Sequence, residues 1–137
     1  MSAYREQTTT INDKDCLIKA LKDKGYDTVE DHVEATNLIG YHGDKRQDKA
    51  NIIVRRNYIG MASNDIGFRK TDNGTYEAII SDYDRGRHNA KWLEELHNHY
   101  AKHKVQKLAR QQGLTPVSSS VDEKTGEGTI KYIKVTN

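Results

Sequence analysis

The chain has 137 residues, of which 34% are hydrophobic and 31% are charged. This length fits one domain with a buried core, while the low apolar fraction predicts that one sheet face is left in water. A net charge of +2 is too small to indicate polyanion binding by itself. No apolar stretch has the length of a secretory leader or of a membrane span. We therefore expect a soluble protein of the cytoplasm that does not contact a membrane.

The charges are unevenly distributed, and the chain has one cysteine. Residues 1–40 carry a net charge of −3, whereas the rest of the chain carries +5. Cys16 has no second cysteine with which to form an internal disulfide. This favours a reducing compartment.

The first elements predicted are a strand and a helix. Residues 8–11 are rich in threonine and therefore β-prone. Asn12 and Asp13 are suitable helix caps, and Gly25 suits a helix end. We expect a helix over residues 13–24.

The middle of the chain contains strand signals only. Strands are predicted over residues 33–41 and 52–54, on either side of a turn-rich segment. The sequence Asp72-Asn73-Gly74 is a tight-turn signal between two segments of alternating hydrophobicity. Residues 65–82 are therefore predicted to form a hairpin.

The longest periodic element is a helix predicted over residues 89–112, and it has two apolar stripes. At about 100° per residue, Leu93, Leu96 and Tyr100 share one stripe. A helix on a single sheet face needs only one stripe. The second stripe, rotated by roughly a third of a turn, indicates a bend, a wrap around the core or a second partner. Its members are Ala101, Val105, Leu108 and Ala109.

The last two strands are predicted over residues 117–121 and 130–135, so that the element order is β-α-β-β-β-β-α-β-β. Short turns between strands favour antiparallel pairing. Two helices among seven strands predict an α+β fold. We expect one domain over residues 1–137, with a twisted, mainly antiparallel sheet and both helices packed on one face. The predicted core residues are Leu17, Leu21, Ile66, Phe68, Tyr76, Ala78, Leu93 and Leu96.

Three histidines of the second helix, His97, His99 and His103, are the candidates for a metal site. His99 and His103 lie four residues apart and share a face, which Glu95 extends by one turn. Two histidines at this spacing can chelate a divalent metal, but a structural or catalytic site needs a third or fourth ligand. No other residue has a matching spacing. We therefore expect no metal site and no cofactor.

No catalytic constellation is evident. Cys16 lies near the apolar stripe of the first helix without a histidine at local spacing, which is typical of a structural thiol. The serines at 118–120 lack a nucleophile-elbow pattern. Asp82 and Asp84 share one side of a strand and could bind a cation or share a proton. The arginines that follow them favour charge pairing instead, so we name no catalytic residue.

Basic side chains are the stronger functional signal. Between Leu96 and Val121 the sequence has no Asp or Glu. The basic face of the second helix could therefore contact phosphates, joined by two arginines of a predicted strand. Cations near a helix C-terminus are, however, also favoured by the helix dipole alone. The candidate phosphate-binding residues are Arg55, Arg56, Lys102, Lys104, Lys107 and Arg110.

Several separated phrases resemble one family. Residues 10–26 look like its opening helix, and Asp65-Ile66-Gly67-Phe68 followed by Gly74-Thr75-Tyr76-Glu77 looks like its central hairpin. Residues 100–105 with Gln112-Gly113 resemble its second helix, and Gly128-Thr129-Ile130 its closing strand. Together they are similar to the family of hypothetical chloroplast reading frame thirty-five, the domain of unknown function numbered twelve fifty-seven. The chain departs from the plastid type over residues 42–51 and 83–88.

The resemblance implies an accessory role rather than a reaction. Family members occur in plastids, cyanobacteria and other bacteria, so a plastid-encoded member would lie in the stroma. In bacteria they tend to be encoded beside an AAA+ ATPase and another small protein. No catalytic residues transfer to this chain from the family.

The sequence favours a non-enzymatic accessory module that binds a protein partner, such as an AAA+ ATPase, or a second copy of itself. The candidate interface residues are Val105, Leu108 and Ala109 with Lys104, Lys107 and Arg110, an apolar patch with a charged rim. A nucleic-acid or nucleotide-phosphate binder that uses the basic helix face is the first alternative. A small enzyme is the second.

Overall fold

The computed structural model describes residues 3–134. Two α-helices and seven strands form an α+β domain, which confirms the predicted fold class and element order. Two short 3-10 helices, Arg56–Tyr58 and Asp82–Gly86, connect strands to the next elements. The main elements are β1 Tyr4–Thr8, α1 Lys14–Asp23, β2 Glu30–Ile39, β3 Lys45–Val54, β4 Ile66–Lys70, β5 Tyr76–Ser81, α2 Ala90–Gln111, β6 Leu114–Val121 and β7 Gly128–Lys134.

The strands divide into two sheets. Five of them form an antiparallel sheet in the order β1-β5-β4-β3-β2, whereas β6 and β7 pair only with each other. The register places Ile52 opposite Phe68 and Phe68 opposite Ala78, so these side chains form a row on one sheet face. Both helices contribute buried residues to the same cluster. They therefore cover the face that carries Phe68.

Both helices have a side-chain cap at the N-terminus, and that of α1 is one of the two residues that the sequence predicted. The Asp13 side chain accepts a hydrogen bond from the Cys16 N–H, and the Asn89 side chain accepts one from the Trp92 N–H. Gly25 follows α1 and Gly113 follows α2, each with a positive φ that favours glycine. Neither helix has the length and apolarity needed to cross a membrane, within the residues that the structure describes.

The core between helices and sheet contains all eight predicted residues, each of them buried. The opposite sheet face is less exposed than predicted, because Leu38, Ala50, Ile53 and Ile79 form a second, smaller buried cluster there. Irregularities in the β2–β3 register accompany this arrangement. Leu38 and Ala50 lie over Gly67, where an added Cβ would come within 2.5 Å of the Ala50 Cβ. The glycine is needed for this close approach.

Some element boundaries differ from the prediction. The first strand is Tyr4–Thr8 rather than residues 8–11, because pairing with β5 begins at Tyr4 opposite Ser81. The β2–β3 hairpin is longer than expected, since β3 already begins at Lys45. Tertiary pairing overrides the weak local strand signal of these polar residues. The end of the last predicted strand, at residue 135, lies outside the described residues.

Replacing Phe68 by Ala is expected to lower the free energy of unfolding by about 3–5 kcal/mol, because a fully buried aromatic side chain leaves a cavity. Urea denaturation of the two proteins measures the difference. Val33→Ala is the control, because Val33 is 98% exposed, and it should change the stability by less than about 0.5 kcal/mol. A loss below about 1 kcal/mol for Phe68→Ala would contradict the assigned core.

Candidate functional site

The two apolar stripes of α2 have different environments. Leu93, Leu96 and Tyr100 are buried against α1 and the sheet. In the second stripe, Val105 is 48% exposed and Leu108 is 45% exposed. An apolar strip of the helix is thus uncovered by the described part of the chain.

The other candidate interface residues are not all beside this strip. Ala109 is buried, so it belongs to the packed side of the helix. Arg110 is exposed, but two residues along a helix correspond to about 200°, so it lies on the far side from Leu108. Lys104 is the predicted rim residue nearest to both apolar side chains on the helical wheel.

The β6–β7 hairpin is attached to α2 through its turn. The Asn98 side-chain amide donates to the Thr125 carbonyl at 3.1 Å, and a ring nitrogen of His99 lies 3.2 Å from the Lys124 carbonyl oxygen. Gly126, with a φ of +76°, packs directly on the backbone of Asn98 and His99, since an added Cβ would lie 2.7 Å from the His99 nitrogen. The hairpin therefore runs alongside α2 instead of joining the main sheet.

A groove lies between α2 and the hairpin, next to the exposed strip. Its volume is ≈ 540 Å³. Ala101 and Val105 line it from the helix, and Val121 and Ile130 line it from the two strands. The exposed strip and the groove form one surface, which we call the α2 face: Ala101, Val105, Leu108, Val121 and Ile130.

Two predicted phosphate contacts are instead tied to the start of α1. Lys107 Nζ lies 2.5 Å from Asp13 Oδ2, and Lys104 Nζ lies 3.4 Å from the same oxygen. Burial alone would raise the pKa of Asp13. The hydrogen bonds from Lys107 and from the Cys16 N–H outweigh this effect and hold the pKa well below its usual range.

The end of α1 binds one lysine and two histidines of α2. Asp23 Oδ2 lies 2.7 Å from Lys102 Nζ, 2.7 Å from His103 Nε2 and 3.2 Å from His99 Nδ1. Burial opposes ionisation of Asp23, but the hydrogen bonds from Lys102 and His103 lower its pKa overall. Much of the basic row of α2 thus serves to hold the two helices together.

Arg55 and Arg56 belong to a different part of the molecule. Arg55 binds both carboxylate oxygens of Glu30, at 2.8 and 2.9 Å, and also Asp65 at 2.8 Å. Arg56 donates to the carbonyls of Ser63 and Met61. No ion pair among the described residues links these arginines to the lysines of α2. These contacts place the two arginines beside β2 and the start of β4.

The histidine row of α2 is held by hydrogen bonds and ion pairs within the protein. Both ring nitrogens of His99 are occupied, and Glu95 pairs with Lys24 at 2.7 Å. Among residues 3–134 there is no group of three or more His, Cys, Asp or Glu side chains that could hold a metal ion.

Of the other candidate groups, the two carboxylates have structural partners. Asp82 pairs with Arg5 and, at a longer distance, with Arg85, while the buried Asp84 accepts from the Asn64 backbone and side chain. The two carboxylates thus have separate partners. Cys16 is buried, and burial raises the pKa of its thiol, which disfavours a nucleophilic thiolate. The serines at 118–120 lie exposed along β6.

Sequence reasoning missed two buried polar groups. One is a network centred on Asn64 and Asp65, in which Asp65 accepts from the Ile39 and Arg56 N–H groups. The other is His88, a buried imidazole at the entry to α2. Their residues are common in surface loops, so only tertiary contacts reveal that they are buried.

A family model described as "Protein of unknown function (DUF1257)" matches residues 20–133. The chain belongs to this family. The match covers the end of α1, the whole of α2 and the strands from β2 onward, and it confirms the resemblance to this domain of unknown function. No curated protein and no solved structure matches the chain.

Lowering the pH should weaken the tie between α1 and α2. The pKa of Asp13 is depressed in the folded state, so its stabilising effect is complete above the unfolded pKa, about 4, and is lost as the pH falls through the lower folded value. Asp13→Asn keeps a capping oxygen but removes the charge. This substitution should lower the free energy of unfolding by about 1 kcal/mol at neutral pH, because both lysines are partly exposed. Urea denaturation should show that the loss becomes smaller between pH 4 and pH 2. An equal loss at both pH values would contradict this ion pairing.

Proposed function

We propose that the protein is a non-enzymatic binding module whose α2 face docks an acidic, amphipathic segment of a protein partner. The observation that carries the proposal is the exposure of Val105 and Leu108 beside an open groove, on a helix whose other stripe is fully packed. An exposed apolar strip with a charged rim is typical of protein interfaces.

The charge on the helix side of this face supports an acidic partner rather than a second copy, whereas Glu127 lines the groove from the hairpin side. The C-terminal half of α2 and β6 contain no acidic residue up to Val121. The single carboxylate of Asp13 pairs with both Lys104 and Lys107, so one positive charge beside the strip stays uncompensated. Two such positive faces would repel each other, whereas carboxylates of a partner would be attracted.

The same ion pairs disfavour the alternative of a nucleic-acid binder that uses this helix. A phosphate backbone would have to compete with Asp13 and Asp23 for Lys102, Lys104 and Lys107. Counterion release, the main driving force of such binding, is reduced when the cations are already paired within the protein. An AAA+ ATPase, the partner class implied by the family resemblance, is the first protein to test.

Two substitutions of opposite charge at Leu108 separate the apolar contribution to partner binding from the electrostatic one. Leu108→Asp should weaken partner binding by at least about tenfold, because it removes an apolar contact and repels an acidic segment. Leu108→Lys should weaken it less and make it more sensitive to salt, because the added charge attracts the partner. Calorimetry with the purified partner measures both affinities, and Val33→Asp on β2 is the control that should leave them unchanged.

The backbone amide spectrum of each variant should stay native, because Leu108 is half exposed. Unfolding by Leu108→Asp would place the second stripe in the core and contradict the proposal. Equal affinities of Leu108→Asp and Leu108→Lys would reject the acidic partner. Binding of duplex DNA or RNA that Lys104→Glu abolishes and Leu108→Asp spares would support the nucleic-acid alternative instead.

A further inference from the structure

One edge of β7 has no partner, and this edge borders the groove of the α2 face. Within the described residues, β6 and β7 pair only with each other. The groove is lined from the hairpin by the consecutive residues 126–130 and from β6 only by Val121. A second cavity, ≈ 420 Å³ in volume, lies across Lys102 and is lined by β6 and by Asp122 and Glu123 of the turn. The free edge of β7 therefore overlooks the apolar groove, whereas that of β6 overlooks the acidic cavity.

The turn of the hairpin fixes which backbone groups of β7 point away from β6. The Asp122 N–H donates to the Glu127 carbonyl at 2.8 Å. Hydrogen-bonded and non-hydrogen-bonded pairs alternate in an antiparallel ladder, so the next pair, Val121 with Gly128, is non-hydrogen-bonded. A Cβ added to Gly128 would point at the Ser120 carbonyl oxygen, so a Cα–H of this glycine faces β6, as in such a pair. The N–H and C=O groups of Gly128 therefore point to the free edge.

The same alternation continues along β7. Thr129 bonds to β6, and the N–H and C=O groups of Ile130 point outward again. Tyr132 is the next outward residue, and Pro116, which lies opposite, has no N–H to donate. The free edge thus presents the backbone donors and acceptors of Gly128, Ile130 and Tyr132, and no strand of the described chain pairs with them.

The other sheet edges are less suited to an added strand. β6 contains Pro116 and an extra residue at Val117, and β2 has two irregularities in its register. β1 has only five residues. Proline, bulges and short length protect an edge from further pairing. β7 has seven residues, without a proline and without an extra residue.

We propose that the partner segment binds in the groove as an extended strand, paired antiparallel with the free edge of β7. This pairing rests on the proposed function of the α2 face, to which it adds the conformation and the sequence pattern of the segment. An added strand gives the outward backbone groups of β7 their partners, and the pockets below it select alternate side chains.

The two faces of the added strand meet different surroundings. The face on the side of Ile130 looks onto α2, where Ala101 and Val105 line the groove, so its residues are apolar. On the opposite face β7 presents the exposed Lys131, which attracts acidic residues of the neighbouring strand. Glu127 lines the groove at the turn and disfavours acidic residues at that end. The segment therefore alternates between apolar and acidic residues.

A short, end-capped peptide in which valine and glutamate alternate is the probe, titrated into the whole protein and followed by nuclear magnetic resonance. Binding should saturate at millimolar concentration or below. Hydrogen exchange of the Gly128 and Ile130 amides should become slower, because these N–H groups gain acceptors. The amides of Thr129 and Lys131 should change little, since they are already bonded to β6.

Two N-methylated forms of this peptide provide a matched comparison. With the valines on the groove side, antiparallel pairing directs the valine N–H groups toward β7 and the glutamate N–H groups toward solvent. N-methylation of the valines should therefore weaken binding at least about tenfold, because it removes the hydrogen bonds to the edge. N-methylation of the glutamates should leave the affinity within about threefold.

Charge substitutions test the orientation of the acidic face. Lys131→Glu should weaken binding of the unmodified peptide at least about threefold, and more at low salt. Lys45→Glu makes the same change of charge on β3 of the main sheet and should leave the affinity within about twofold. Both lysines are exposed, so the amide spectra of the variants should stay native.

Three results would overturn strand pairing. The first is the absence of saturable changes at Gly128 and Ile130 with the unmodified peptide. The second is equal binding of the two N-methylated peptides, or weaker binding of the glutamate form. The third is equal weakening by Lys131→Glu and Lys45→Glu, which would indicate general charge attraction. Leu108→Asp with the purified partner tests the proposed function separately: if it weakens the partner while the N-methylated peptides bind alike, the α2 face stands and strand pairing is rejected.

Discussion

The structure depends on one constraint: α1 and α2 must lie side by side on the sheet face that carries Phe68. Apolar contacts supply the free energy for this packing, since both helices bury their stripes in the same cluster. Carboxylates near the two ends of α1 fix the orientation of the helix pair, because Asp13 pairs with Lys104 and Lys107 and Asp23 pairs with Lys102. Burial and ion pairing together determine which side of α2 packs against α1 and the sheet.

This packing determines which side chains are exposed on the outer side of α2. The lysines that the sequence suggests as phosphate contacts pair with carboxylates of α1, and the apolar residues between them are left uncovered. The hairpin β6–β7 is hydrogen-bonded to the helix at Asn98 and His99, and a groove stays open beside these contacts. A surface that reads as basic in the sequence is therefore, in the folded chain, an apolar strip with a modest positive rim.

The local parts of this account could be predicted from the sequence, and the long-range parts could not. The caps Asp13 and Asn89 and the turn at Asn73-Gly74 act over a few residues, so their patterns are visible in one segment. Lys107 and Asp13 are 94 residues apart, and nothing in either segment indicates the other. The same limit explains why β6 and β7 could be identified as strands but not assigned to a separate sheet. It also explains the burial of His88, which depends on Tyr26 and Trp92.

A double-mutant cycle between the two helices tests the central claim most directly. Asp13→Asn is combined with the double replacement of Lys104 and Lys107 by Met, and the free energies of unfolding are measured in urea at neutral pH and low salt. The account predicts a favourable coupling of about 0.5–1 kcal/mol that decreases as salt is added. Strictly additive effects would mean that the lysines are not held by α1, and the basic row of α2 would then be free to bind an external ligand.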